Sequence, residues 1–281
     1  MADPALEGYQ QFTFAAAGPP EAGEAAISHL VYHRGDGPAV LILHELPGLS
    51  PAALRFGRRL ADRGFHCYLP LLFGEPGQHQ SMASYRRLCI SREFARLQSG
   101  VSAPIVDWLR RLAADISSRH GGASIGAIGM CLTGAFAIPL VLERCVTAPV
   151  VAQPGIPFSF TFSAVGMGRG AWMSQLNIAD ADLEEAAVRA RTDGITLMAT
   201  RFRRDRVCPA ARIDRVAQAF GDHMVRRELD GGSALRPPHA TLTEEYERAP
   251  DAPTHPTRVL FEELVAFLHA RLDRGRVPEA L

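Results

Sequence analysis

The chain has 281 residues, enough for one large α/β domain with a sizeable core. Its 30 basic and 30 acidic side chains cancel, which removes the electrostatic argument for nucleic acid or an anionic membrane and leaves a small molecule as the expected partner. The five cysteines are odd in number and show neither a Cys-x-x-Cys pair nor Cys/His ligand spacing, so they read as reduced thiols of a cytoplasmic protein without a metal site.

Residues 1–24 form an Ala/Gly/Pro-rich N-terminal extension with an extended segment at Gln11-Phe12-Thr13-Phe14. Asp3 and Glu7 stand where a secretory signal needs basic residues, and no apolar run is long enough to span a bilayer. From residue 25 to 281 the pattern is that of a single domain. Strand-like runs at 27–33, 39–44, 65–69, 124–128, 149–152, 195–200 and 224–229 alternate with amphipathic helical runs at 52–63, 101–119, 132–143, 181–191, 210–220 and 257–272. Such alternation predicts an α/β fold with a mostly parallel central sheet and helices on both faces. Two stretches break the rhythm: a Gly/Pro-containing connector at 71–81, and an excursion at 153–180 around Trp172 that is expected to act as a lid or pocket wall.

Between the strand at 124–128 and the helix that follows, the sequence runs Ala127-Ile128-Gly129-Met130-Cys131-Leu132-Thr133-Gly134. An apolar strand that breaks into Gly-x-Cys-x-x-Gly and resumes as a helix has the form of a nucleophile elbow, in which small neighbours let a strained central residue stand above the sheet. Cys131 is then the candidate nucleophile. A free thiol, with a pKa of about 8.5, is only a few per cent ionised at neutral pH and needs a base to activate it.

Chain order supplies the partners. Asp205 follows the strand at 195–200 and precedes a helix started by Pro209, so its carboxylate is placed to orient a base. Of the histidines beyond it, His239 lies in a loop between the last strand and the last helix and is the expected base. His255, just before Pro256, is the alternative, whereas His223 and His269 fall inside regular elements. An oxyanion needs two backbone N–H donors, expected from Leu132 after the nucleophile and from Leu46 in the turn after the strand at 39–44. Glu45 in that turn is expected to hold or remove the thiol proton.

Together the His44-Glu45-Leu46-Pro47-Gly48-Leu49 segment, the Gly129-Met130-Cys131-Leu132 elbow, Asp205 with Val207 and Pro209, and His239 resemble the dienelactone hydrolase family. The resemblance extends from about residue 39 to the closing helix. It implies an α/β-hydrolase fold, cofactor-free hydrolysis of esters or lactones such as carboxymethylenebutenolide, and a Cys131, His239 and Asp205 triad with Glu45 controlling the thiol. Three departures stand out. Thr133 occupies an elbow position that is often Gly in the family. Thr243 stands four residues after the base, where the dienelactone enzymes carry an Arg for the substrate carboxylate. The spacing from Cys131 to Asp205 is also longer. Arg86, Arg87 and Arg92 are candidates for a second substrate-binding arginine, and Trp172 for a further contact. The competing functions are a thioesterase or broad carboxylesterase with the same triad, and a non-catalytic thiol sensor on the same scaffold.

Overall fold

Among the described residues eight strands pair into one sheet whose order in space is β1-β2-β4-β3-β5-β6-β7-β8. The strands are β1 Gln10–Ala16, β2 Ile27–Arg34, β3 Ala39–Leu43, β4 His66–Pro70, β5 Ile125–Met130, β6 Val146–Ala152, β7 Leu197–Phe202 and β8 Met224–Leu229. From β4 through β8 every pairing is parallel, while β2 runs antiparallel to both β1 and β4. The computed structural model describes residues 4–16, 26–77, 104–155, 169–233 and 235–273. The extended segment expected at 11–14 is β1, the edge of the sheet.

Helices cover both faces, as the alternating pattern predicts. They are α1 Pro51–Ala61, α2 Pro104–Arg119, α3 Ala137–Leu140, α4 Arg169–Ser174, α5 Asp180–Asp193, α6 Ala210–Phe220, α7 Glu244–Arg248 and α8 Pro256–Leu272. All five residues of β3 are buried, and they alternate between two cores. Leu41 and Leu43 pack with Leu109, Leu112 and Ile116 of α2, Leu183 of α5 and Val216 of α6. Val40 and Ile42 pack with Leu54 and Leu60 of α1 and with Leu260, Leu264 and Leu268 of α8. A strand buried on both faces reads as continuous apolar sequence, which is why this run carries no polar alternation.

The helix expected at 132–143 is not continuous. A 3-10 turn spans Cys131–Phe136 and only one α turn, α3, follows. Pro139 lacks the N–H that an α ladder would give to Ala135, which favours the break between the 3-10 turn and α3. The short helices α4 and α7 were not legible as helical periods.

Trp108 fixes α2 to the antiparallel edge. Its side chain is 1% exposed, its indole N–H donates to the carbonyl of Ile27 at 3.0 Å, and Phe14 and His29 meet its ring edge-on at 5.4 and 5.0 Å. Trp108→Ala is expected to lower stability by about 3–5 kcal/mol, seen as an earlier urea midpoint with an unchanged slope.

Candidate active site

Cys131 follows the last residue of β5 with φ at +52°, in the left-handed region that costs a side-chain-bearing residue energy. The turn can close this tightly because Gly129 and Gly134 flank it. A methyl on Gly129 would lie 2.3 Å from the Thr133 carbonyl oxygen, and one on Gly134 would lie 2.7 Å from Cα of Pro154. Thr133, the departure from glycine, has a use of its own: its hydroxyl lies 3.1 Å from the carbonyl oxygens of both Leu43 and His44. The elbow is thereby tied to the end of β3, from which Glu45 and Leu46 emerge. Across the turn, the N–H of Gly155 donates to the Cys131 carbonyl at 2.9 Å.

Asp205, in the loop after β7, is buried and held at both carboxylate oxygens. Oδ1 accepts from the backbone N–H groups of Val207 at 2.8 Å and Cys208 at 2.9 Å, and Oδ2 accepts from His239 Nδ1 at 2.7 Å. That bond leaves Nε2 of His239 as the free end of the ring. Nε2 is buried, makes no hydrogen bond of ordinary geometry, and has the Cys131 thiol as its polar neighbour. Sulfur and ring share one small space: a methyl on Gly155 would lie 3.2 Å from Cys131 Sγ and 3.3 Å from His239 Cε1. Burial pushes the His239 pKa down, but the neighbouring Cys131 sulfur, the hydrogen bond to Asp205 and the charge of Asp205 outweigh it and raise it well above 6.5.

Glu45 is buried among neutral partners. Thr243 donates to its Oε1, and Gln153 Nε2 lies 3.4 Å from its Oε2. Behind it, Gln153 Oε1 accepts from the Thr241 hydroxyl at 2.5 Å, and Thr241 Oγ1 is 3.0 Å from Thr200 Oγ1. Burial is the largest influence on Glu45 and raises its pKa, against the hydrogen bonds from Thr243 and Gln153 and the charge of His239. Thr243, noted above as a departure from the family's substrate-binding Arg, instead gives Glu45 a neutral hydrogen-bond partner. Its neighbour His44 is wholly buried; Nε2 accepts from the N–H of Leu72 at 3.0 Å, so the ring proton resides on Nδ1, 3.1 Å from the Glu45 carbonyl. Desolvation pushes the His44 pKa down to about 4, and the neutral ring pins the turn.

A cavity of about 330 Å³ opens on these groups, lined by Glu45, Leu46, Cys131, Val207, Pro237, His239 and Ala240, with Glu244, Glu245 and Arg248 of α7 also on its wall. Leu46 lines it, and its N–H has no hydrogen-bond partner among the described residues. Leu132 is buried directly after Cys131. Trp172 does not line this cavity; its ring covers the guanidinium of Arg212 instead, 5.3 Å from the centroid. His255 caps α8 through its ring, His223 approaches the Ile195 carbonyl, and His269 pairs with Asp273, so none of the three joins the site. Arg86, Arg87 and Arg92 lie outside the described residues, as do residues 156–168 of the excursion expected at 153–180. Gln153, Thr241 and Arg212 were missed by sequence reasoning, since a single buried polar residue has no periodic signature.

The model of the dienelactone hydrolase family matches residues 27–228. The chain belongs to this family. Among solved structures of similar fold are a candidate dienelactone hydrolase from Klebsiella pneumoniae, with 16% identity over 92% of this chain and 98% of that one at a TM-score of 0.54, and a thioesterase domain from the curacin biosynthetic pathway, with 9% identity over 92% and 99% at 0.53. A cold-adapted esterase from an Arctic intertidal metagenomic library aligns with 13% identity over 96% and 97% at 0.54. No curated protein matches the sequence. At these identities the structures share the α/β-hydrolase fold, and the family model supports hydrolase chemistry on a small molecule. Among the described residues no cluster of three or more His, Cys, Asp or Glu side chains could hold a metal ion, and no helix is long and apolar enough to cross a membrane.

Because its folded-state pKa is raised, His239 contributes stability that is complete below about pH 6.5 and is lost as pH climbs through the folded value. Cys131→Ala removes the strongest of the influences that raise it. NMR titration of the His239 Cε1 proton is expected to show a lower midpoint in that variant, and the alkaline fall in stability should begin at correspondingly lower pH.

Proposed function

We propose that the protein hydrolyses an ester or lactone through a thioester on Cys131, with His239 as general base and acid and Asp205 as its orienter. The observation that carries this reading is the His239–Asp205 bond of 2.7 Å, which directs the ring's other nitrogen toward a cysteine in a left-handed elbow. Nδ1–H is committed to Asp205, so Nε2 is the end that takes the thiol proton.

Attack of Cys131 Sγ on the substrate carbonyl forms a tetrahedral oxyanion, for which the N–H groups of Leu46 and Leu132 are the expected donors. Collapse expels the alkoxide, which takes its proton from His239, and leaves the thioester. Water, deprotonated at Nε2, then attacks the thioester carbonyl; the thiolate leaves, the acid is released and the resting pair is restored. Glu45, buried with a raised pKa, provides a second proton-holding group beside this pair. The reaction consumes water and needs no cofactor.

The cavity wall bears on substrate choice. Among the described residues, the only guanidinium lining the cavity belongs to Arg248, which already pairs with Glu245 at 2.9 Å and Glu244 at 3.5 Å. An uncharged acyl group suits that wall better than one bearing a carboxylate. The carboxylate-specific activity on carboxymethylenebutenolide is therefore the weaker part of the family analogy, and a cytoplasmic setting fits a reduced thiol nucleophile.

Cys131→Ala is expected to abolish turnover of aryl esters, and wild type quenched during turnover should carry an acyl mass on Cys131. Asp205→Asn should lower kcat by about 10³–10⁴-fold with little change in KM. Full activity in Cys131→Ala would overturn the mechanism. In a matched pair of esters differing only by a carboxylate on the acyl group, the neutral member should have the higher kcat/KM, by about tenfold or more.

A further inference from the structure

Arg212, on the first turn of α6, is 0% exposed. Its Nη1 donates to the carbonyls of Pro154 at 2.9 Å and Val207 at 2.7 Å, and its Nη2 donates to the carbonyl of Trp172 at 2.9 Å. The Trp172 ring covers the guanidinium at 5.3 Å. Among the described residues no carboxylate lies within ion-pair distance of it, although three of its acidic or thiol neighbours, Cys208, Asp205 and Cys131, act on its charge. A buried cation is costly unless something compensates its charge, and carbonyl dipoles compensate only in part.

Two of the three carbonyls belong to segments that hold the candidate triad. Pro154 precedes Gly155, whose N–H holds the Cys131 carbonyl, and Val207 supplies one of the N–H groups that hold Asp205 Oδ1. Two of the three bonds therefore end within one residue and one hydrogen bond of Cys131 or Asp205, and the third, to Trp172, ties in the α4 segment. A simple packing role would be served by an apolar side chain of similar volume at lower cost. A planar fork with a permanent charge does two things that such a side chain does not: it fixes three loops at once, and it sets a positive charge in a low-dielectric region beside groups that become negative.

We propose that Arg212 is a positioning residue for the hydrolysis, clasping the 154–155, 207 and 172 segments and supplying the fixed positive charge against which Cys131 ionises. The proposal rests on Cys131 being the nucleophile, and its test is built to be independent of turnover. No proton is transferred to or from Arg212, and it touches no reacting atom; it acts through the loops and through its field.

The test is the pH dependence of Cys131 alkylation by iodoacetamide, located by peptide mass, in the full-length wild type and in Arg212→Gln, Arg212→Met and Arg212→Lys. The two uncharged variants are expected to alkylate about tenfold more slowly than wild type at pH 7 and to converge with it at alkaline pH, where the thiol is ionised in all of them. Arg212→Lys should keep most of the neutral-pH rate. An equal slowing at every pH, in charged and uncharged variants alike, would mean that the residue only holds loops, and would overturn the electrostatic part. Should the uncharged variants not fold, wild type decides: alkylation that rises only over the pH range of free cysteine run alongside overturns the proposal. Ester hydrolysis by Cys131→Ala, assayed separately, reports on the nucleophile, so a failure of that reading is not confused with a failure of this one.

Discussion

A left-handed backbone at a residue with a side chain costs about 1–3 kcal/mol and persists only where the surroundings over-determine it. At Cys131 they do so from several directions. Gly129 and Gly134 leave room for the turn to close, Thr133 fastens it to the end of β3, and Gly155 holds the cysteine carbonyl from the end of β6. The sulfur, the turn carrying Glu45 and Leu46, and the Gly155 backbone are consequently fixed relative to one another by three neighbouring strands. A fold with β3, β5 and β6 side by side is what makes that possible.

Two imidazoles near this turn experience opposite electrostatics. His44 is sealed among apolar groups and one backbone N–H, so desolvation governs it and the ring is neutral. His239 is also enclosed, yet it has a carboxylate on one nitrogen and a thiol beside the other, and those charges win over burial. Residue type and burial alone do not decide the protonation state; the identity of the nearest charge does. The two histidines are in this way kept apart in the pH range where each would change state.

Much of the framework was legible because its causes are local. Parallel strands buried on both faces leave unbroken apolar runs, helices leave a 3.6-residue period, and an elbow leaves small residues on either side of one nucleophile. Chain order then narrowed the histidines to His239 and His255, which the structure separates: one bonds Asp205, the other caps α8. What could not be read is non-local. The expected helix at 132–143 is replaced by a 3-10 turn and one α turn, and these, like α7, are too short to show a period. Gln153, Thr241, Thr200 and Arg212 come from separate segments, and only the three-dimensional chain brings each to its partner.

With the Gln153 amide as it stands, the chain of hydroxyl and amide groups that ends at Glu45 runs in one sense. Thr241 has one proton and gives it to Gln153 Oε1, so it can only accept from Thr200, and the Gln153 amide must turn its NH₂ toward the carboxyl. With Glu45 ionised, reversing the amide would set oxygen against oxygen at the carboxyl end. The orientation of the Glu45 side chain is thus decided partly on β7, through Thr200, at the far end of a relay of neutral groups. The cavity wall inherits rigidity from a strand that contributes none of its own side chains to it.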